Sequence, residues 1–81
     1  MTRLGVFLEK KSIKKADVSR KTGISQSRMS ELTNNQSTRL SVDELYLISL
    51  AIDTDPSIIM KEICSHLKLV DETKIENNIS A

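Results

Sequence analysis

Residues 21–32 read KTGISQSRMSEL, with three serines, one glycine and three bulky apolar residues. Taken as a polar loop, the stretch says nothing about fold; taken as a turn followed by a helix, it decides the fold. Gly23 accepts the left-handed backbone that closes a helix C-terminus, because it has no side chain to clash. Two residues on, the Ser25 hydroxyl can accept from a free backbone N–H at the start of a new helix. Ile24, Met29 and Leu32 then supply inward contacts. The stretch therefore predicts a tight turn between a helix over 14–22 and a helix over 25–34. In the first of these Val18 anchors the packing, Ala16 can sit against the core, and Ser19 is small enough for close approach.

Working outward, Leu4, Phe7 and Leu8 have helical spacing, which predicts a first helix over 2–11 with Arg3, Glu9, Lys10 and Lys11 on the wetter side. After Asn34, the run NQSTR has no periodicity and reads as a loop. SVDE at 41–44 is a capping box: Ser41 is the N-cap and Glu44 reaches back to its N–H. The fourth helix that follows carries Leu45, Leu47, Ile48, Leu50, Ala51 and Ile52, with only Tyr46 and Ser49 as polar gaps. Such a helix is expected to be central and enclosed. DTDP at 53–56 ends it, and Asp55 with Pro56 provides an N-cap and a first-turn proline for a fifth helix. That helix carries Ile59, Ile63 and Leu67, and beside them Met60 and Cys64 join Leu67 in a second apolar stripe, more than one small core needs. Residues 71–81, DETKIENNISA, are polar and uncapped, and are expected to be a disordered tail to a domain spanning 1–70.

Composition agrees with an all-α domain. The 81 residues are 38% apolar and 2% aromatic, with two glycines and one proline, and strands would favour the aromatic and β-branched runs that are sparse. A chain this short buries one modest core and leaves little room for a large substrate cavity. No nucleophile–base pairing, glycine-rich phosphate loop or paired catalytic carboxylate is visible, so neither an enzyme nor a cofactor is expected. Cys64, the lone cysteine, cannot form an internal disulfide. It lies two residues from His66, about 200° away on a helix, with no further Cys or His to complete a metal site. LGVFL at 4–8 is too short for a signal peptide's apolar region, and LYLISLAI at 45–52 falls short of the roughly 20 residues of a membrane span. A cytoplasmic protein is expected.

Charge gives the first functional indication. Residues 1–39 hold nine Lys/Arg against three Asp/Glu, a net +6, whereas residues 40–81 hold three lysines against eight acids, a net −5. A basic half suits a polyanion and an acidic half turns away from it. At 100° per residue, Gln26, Ser27, Ser30 and Asn34 share one face of the 25–34 helix, with Arg28 at its flank. Glutamine can pair bidentately with adenine, arginine with guanine, and serine with either kind of edge.

From Leu4 to about Met60, roughly 57 of 81 residues, the chain resembles the Cro/repressor-type (Xre) helix-turn-helix domain. Val18-Ser19 stand at that family's Leu-Ala pair, Gly23-Ile24-Ser25 at its turn, Gln26-Ser27 and Met29-Ser30 in its recognition helix, and Leu45, Ile48 and Ile52 in its fourth helix. The resemblance implies a compact five-helix lambda-repressor-like domain, with helices two and three forming the motif and helix three in the DNA major groove. It also implies Gln26, Ser27, Arg28 and Ser30 as base-facing residues, with Glu31 either reading cytosine or lining the groove. Lys14, Lys15, Asn34, Asn35, Ser37, Thr38 and Arg39 are implied as phosphate contacts.

The departures from the family are specific. Lys15 replaces the glutamine that usually begins helix two, Thr33 and Asn35 replace the Glu and Gly that close helix three, and Leu8 replaces the usual arginine of helix one. If that Arg and Glu normally pair, their joint loss is consistent with an apolar substitute. The leading expectation is a sequence-specific regulator on double-stranded DNA, forming a homodimer through Met60, Cys64, Leu67, Leu69 and Val70. The competing one keeps the fold as an interaction module, such as an antitoxin holding a toxin through helix five and the acidic tail.

Overall fold

A computed structural model describes residues 1–70, which form five helices: α1 Arg3–Lys10, α2 Lys15–Thr22, α3 Gln26–Asn34, α4 Val42–Ala51 and α5 Pro56–Cys64. The expected tail at 71–81 lies outside the described residues. Four of the five helices begin where the sequence offers a side-chain cap. The Thr2, Ser25, Ser41 and Asp55 side chains accept from the backbone N–H groups of Gly5, Arg28, Glu44 and Ser57, satisfying donors that a helix N-terminus otherwise leaves without partners. The Ser41–Glu44 capping box closes in both directions. Lys14 precedes α2 without a side-chain cap.

The turn between α2 and α3 is held by its own residues. Gly23 takes φ +82°, the left-handed conformation expected of it. The Thr22 hydroxyl donates to the Val18 carbonyl and accepts from the Ile24 N–H, and the Ser19 hydroxyl donates to the Ile24 carbonyl. Ser19 thus does more than leave room for packing: it fixes the chain on the far side of the turn.

Leu4, Phe7, Leu8, Val18, Met29, Leu32, Leu45, Ile48 and Ile59 form the core. Each contributes on the order of 1.5–3 kcal/mol by leaving water. α1 packs on α3 and α5, α2 on α3 and α4, and α4 on α5. Leu8, standing where the family resemblance leads one to expect arginine, is fully buried. α3 is therefore supported from behind by α1 and α2.

α1 and α3 approach closely at Gly5. A Cβ at Gly5 would collide with the Thr33 carbonyl oxygen and stand 2.5 Å from the Met1 side chain. Thr33 itself is buried, its hydroxyl donating to the Met29 carbonyl at 2.9 Å. Close to it the Thr2 hydroxyl donates to the Leu32 carbonyl at 2.7 Å, and the Thr2 N–H donates to the Thr33 carbonyl at 2.8 Å.

Three expectations are corrected. Ala16 faces solvent rather than the core. α5 stops at Cys64, and Leu67 follows in a turn, its N–H donating to the Cys64 carbonyl; Ile59 and Ile63 alone carry the inward stripe. α4 is not enclosed: Val42, Tyr46 and Leu50 are exposed at successive helical turns, while Ser49 is buried. The main packing of α4 is against α2 and α5, which covers one side of it. Ser49 can occupy that side because its hydroxyl donates to the Leu45 carbonyl, which offsets the cost of burying it.

Candidate nucleic-acid interface

Packing Met29, Leu32 and Thr33 inward leaves Gln26, Ser27, Ser30, Glu31 and Asn34 exposed on the opposite side of α3. The face is composed of short polar side chains that both donate and accept, apart from the acceptor Glu31. The Asn34 side-chain amide donates to the Ser30 hydroxyl at 3.4 Å, a long bond at the edge of the accepted range. Lys14 and Lys15 stand exposed at the N-terminal end of α2.

The loop from Asn35 to Ser41 is organised by two carboxylates. Glu31 accepts from the Asn35 amide at 3.0 Å and the Thr38 hydroxyl at 3.3 Å. Asn35 in turn accepts from both the N–H and the hydroxyl of Ser37. The structure thus joins one expected base reader, Glu31, to three expected phosphate ligands in a single network. At the other end of the loop, Glu44 accepts from the Ser41 N–H at 3.0 Å.

Arg28 belongs to that second carboxylate. Its Nε donates to Glu44 Oε2 at 2.7 Å, and its Nη2 donates to Glu44 Oε1 and to the Arg39 carbonyl, both at 2.9 Å. The fork holds the Glu44 carboxyl down at about 2, with the Arg28 hydrogen bonds as the largest cause; partial burial opposes it and the Ser41 N–H and hydroxyl assist. The same pairing raises the guanidinium further above its ordinary range. The angular pattern contains the signal for this placement. Arg28 lies about 145° from the centre of the Gln26–Ser27–Ser30–Asn34 face, beside Leu32, and the nearest acid that side of the helix can reach is the capping residue of α4.

Gly5, Thr2, Thr33 and Glu44 set the position of α3, and none was singled out for that task by the sequence. Glu44 is identified as a cap, but its second partner is in another helix. Arg39 keeps its side chain exposed while its carbonyl is engaged.

Of the residues expected to pair with another copy, Met60, Leu67, Leu69 and Val70 are exposed and Cys64 is half-buried. Met60, Cys64 and Leu67 border a groove of about 710 Å³ between the 36–42 segment, the start of α1 and the end of α5. Among the described residues, no helix is long and apolar enough to cross a membrane.

In comparison with known proteins, residues 3–65 match the model of the Cro/C1-type HTH DNA-binding domain family. No curated protein and no solved structure matched the chain.

Proposed function

Since the chain belongs to the Cro/C1-type HTH DNA-binding domain family, we propose that it is a cytoplasmic transcriptional regulator that places α3 in the major groove of an operator. The observation that carries this reading is the division of α3. One side is packed on α1 and α2, and the other presents Gln26, Ser27 and Ser30 to solvent directly behind a capped N-terminus. Short side chains there let the helix enter the groove closely enough to reach base edges. Lys14 and Lys15, with Asn34 and the 35–39 loop residues Asn35, Ser37, Thr38 and Arg39, lie on segments flanking α3 and suit phosphates. Phosphate contacts orient the domain and base contacts specify the site. Glu31 is assigned to the loop it organises.

A palindromic site follows from the exposed Met60, Leu67, Leu69 and Val70 beside half-buried Cys64, if two copies pair there. A homodimer would set the two recognition helices about 34 Å apart. Sedimentation equilibrium at micromolar concentration should give a dimer; a monomer both free and on DNA removes this part of the reading. The toxin-binding alternative draws on the same apolar surface and predicts instead a stoichiometric protein partner without retained DNA affinity.

Selection of bound duplexes from random DNA tests the function directly and should return a defined motif. On that motif Gln26→Ala should cost about 1–3 kcal/mol, with little change on random DNA, whereas Lys15→Ala should weaken both alike and reduce the salt dependence. Equal losses on both DNAs for Gln26→Ala would remove it from the base-reading set.

A further inference from the structure

Arg28 is the one member of the expected base-reading set whose charged group the structure ties into another helix. Building on the DNA-binding reading, we propose that Arg28 is a positioning residue: it fixes the 35–41 loop and the start of α4 through Glu44 and the Arg39 carbonyl, and does not read a base.

The geometry is that of a three-way tie. The backbone N–H of Arg28 is capped by Ser25 at the head of α3. Its guanidinium reaches both oxygens of Glu44 and, through Nη2, the carbonyl that precedes Leu40. Glu44 uses one of those oxygens to close the N-terminus of α4 on Ser41. One side chain therefore joins the start of the recognition helix, the end of the loop and the cap of the next helix. The planar fork of arginine suits this geometry, in which Nε and Nη2 act from two positions; the ammonium of lysine has its donors on one nitrogen and lacks that fork. To read a base, Arg28 would have to abandon both carboxylate bonds and the Arg39 carbonyl, and then reach past Ser27 from a position about 145° from the centre of the polar face.

The consequence for binding is general rather than sequence-selective. With the tie holding the loop at Arg39 and Ser41, and Glu31 and Asn35 holding it at Thr38 and Ser37, Ser37, Thr38 and Arg39 are kept as a preset group. Released, the loop samples arrangements that miss the phosphates, and apparent affinity falls by the fraction of time it is competent. If that fraction is about 0.1–0.2, affinity drops roughly five- to tenfold on cognate and random DNA alike.

The discriminating variant is Glu44→Gln. It removes a negative charge, so a base-reading or phosphate-binding Arg28 would be freed and binding would hold or strengthen. A tie predicts the opposite. We expect Glu44→Gln, Arg28→Lys and Arg28→Ala each to weaken cognate and random DNA by similar factors, leaving their ratio unchanged. The Arg28→Ala/Glu44→Gln double variant, which keeps an acceptor for the Ser41 N–H, should lose no more than Arg28→Ala. Binding is measured by fluorescence anisotropy well below each variant's melting temperature, with helicity checked by circular dichroism. Amide exchange at residues 37–41 of the free protein should rise in all of these variants. If Glu44→Gln binds as well as wild type, or if Arg28→Ala lowers the cognate-to-random ratio, the inference is overturned while the DNA-binding reading stands. A wild-type chain that binds no duplex overturns both.

Discussion

The two ends of α3 are fastened by different chemistry. At the C-terminal end the contacts to α1 and the residues before it are short, mostly buried and uncharged: Gly5 lies under the Thr33 carbonyl, Thr2 bonds to Leu32 and Thr33, and the Gln36 amide donates to the Met1 carbonyl from the surface. At the N-terminal end the fastening is an ion pair, Arg28 with Glu44, with the arginine side chain 39% exposed and the glutamate 16%. Buried neutral bonds respond weakly to salt and pH, because no net charge is formed or screened. A partly exposed ion pair responds to both. The C-terminal end sets where the helix sits in the domain and, through Glu31, holds the near half of the following loop; the N-terminal end ties the far half of that loop to α4. The difference can be broken from either side.

The largest effect should come from Gly5→Ala. The added methyl meets backbone at Thr33, which cannot swing away, as well as the flexible Met1 side chain. Relieving the collision requires α1 and α3 to separate, and overpacking of this kind costs about 3 kcal/mol. For a domain this size that is a fall of about 12–24 °C in melting temperature. Thermal denaturation at neutral pH checks it. A loss below about 5 °C would mean that the interface between α1 and α3 yields readily, and the claim of a rigid C-terminal fastening would fail.

Thr2→Val comes next. It keeps the volume and removes the hydroxyl, so the Gly5 N–H loses its cap and the Leu32 carbonyl loses its buried donor. Two such losses at a buried site cost about 2 kcal/mol. Chemical denaturation at low and high salt should give nearly the same deficit. A deficit that shrinks with salt would show that this end also depends on charge.

How much of this was legible in the sequence depends on how local each demand is. Gly23, Ser25, Ser41 with Glu44, and Asp55 with Pro56 could be read because each answers a requirement within one helical turn of its own backbone. The inward role of Met29 and Leu32 could be read from periodicity. Gly5 could not: in a helical pattern a glycine registers as a weak helix former, and its reason lies in Thr33, on a helix not yet placed. Ser49 and Leu50 exchange their expected environments because the covered side of α4 is set by where α2 and α5 dock. Ser12 and Asp53 take φ of +57° and +54° after α1 and α4, in turns where no glycine marks the stop. At the site, the polar face of α3 was legible residue by residue. The Arg28–Glu44 tie lay half in view, in an angle and a cap that meet once the loop has folded.

The smallest effect, and the one that separates the two ends most cleanly, is the pH dependence of the N-terminal fastening. Glu44 has its carboxyl lowered from 4.5 to about 2 in the folded protein, principally by Arg28. A carboxylate with a depressed folded value contributes stability that is fully present above its unfolded value, near 4.5, and is lost as pH falls through about 2. Lowering pH across that window should therefore erase the difference in unfolding free energy between wild type and Glu44→Gln, since glutamine does not titrate. The difference between wild type and Thr2→Val should stay constant over the same range. Urea denaturation of the three proteins at several pH values across the window provides the measurement. A wild-type advantage over Glu44→Gln that survives to pH 2 would place the value of Glu44 in its capping geometry rather than its charge. The fastening at the N-terminal end of α3 would then be of the same kind as that at the C-terminal end.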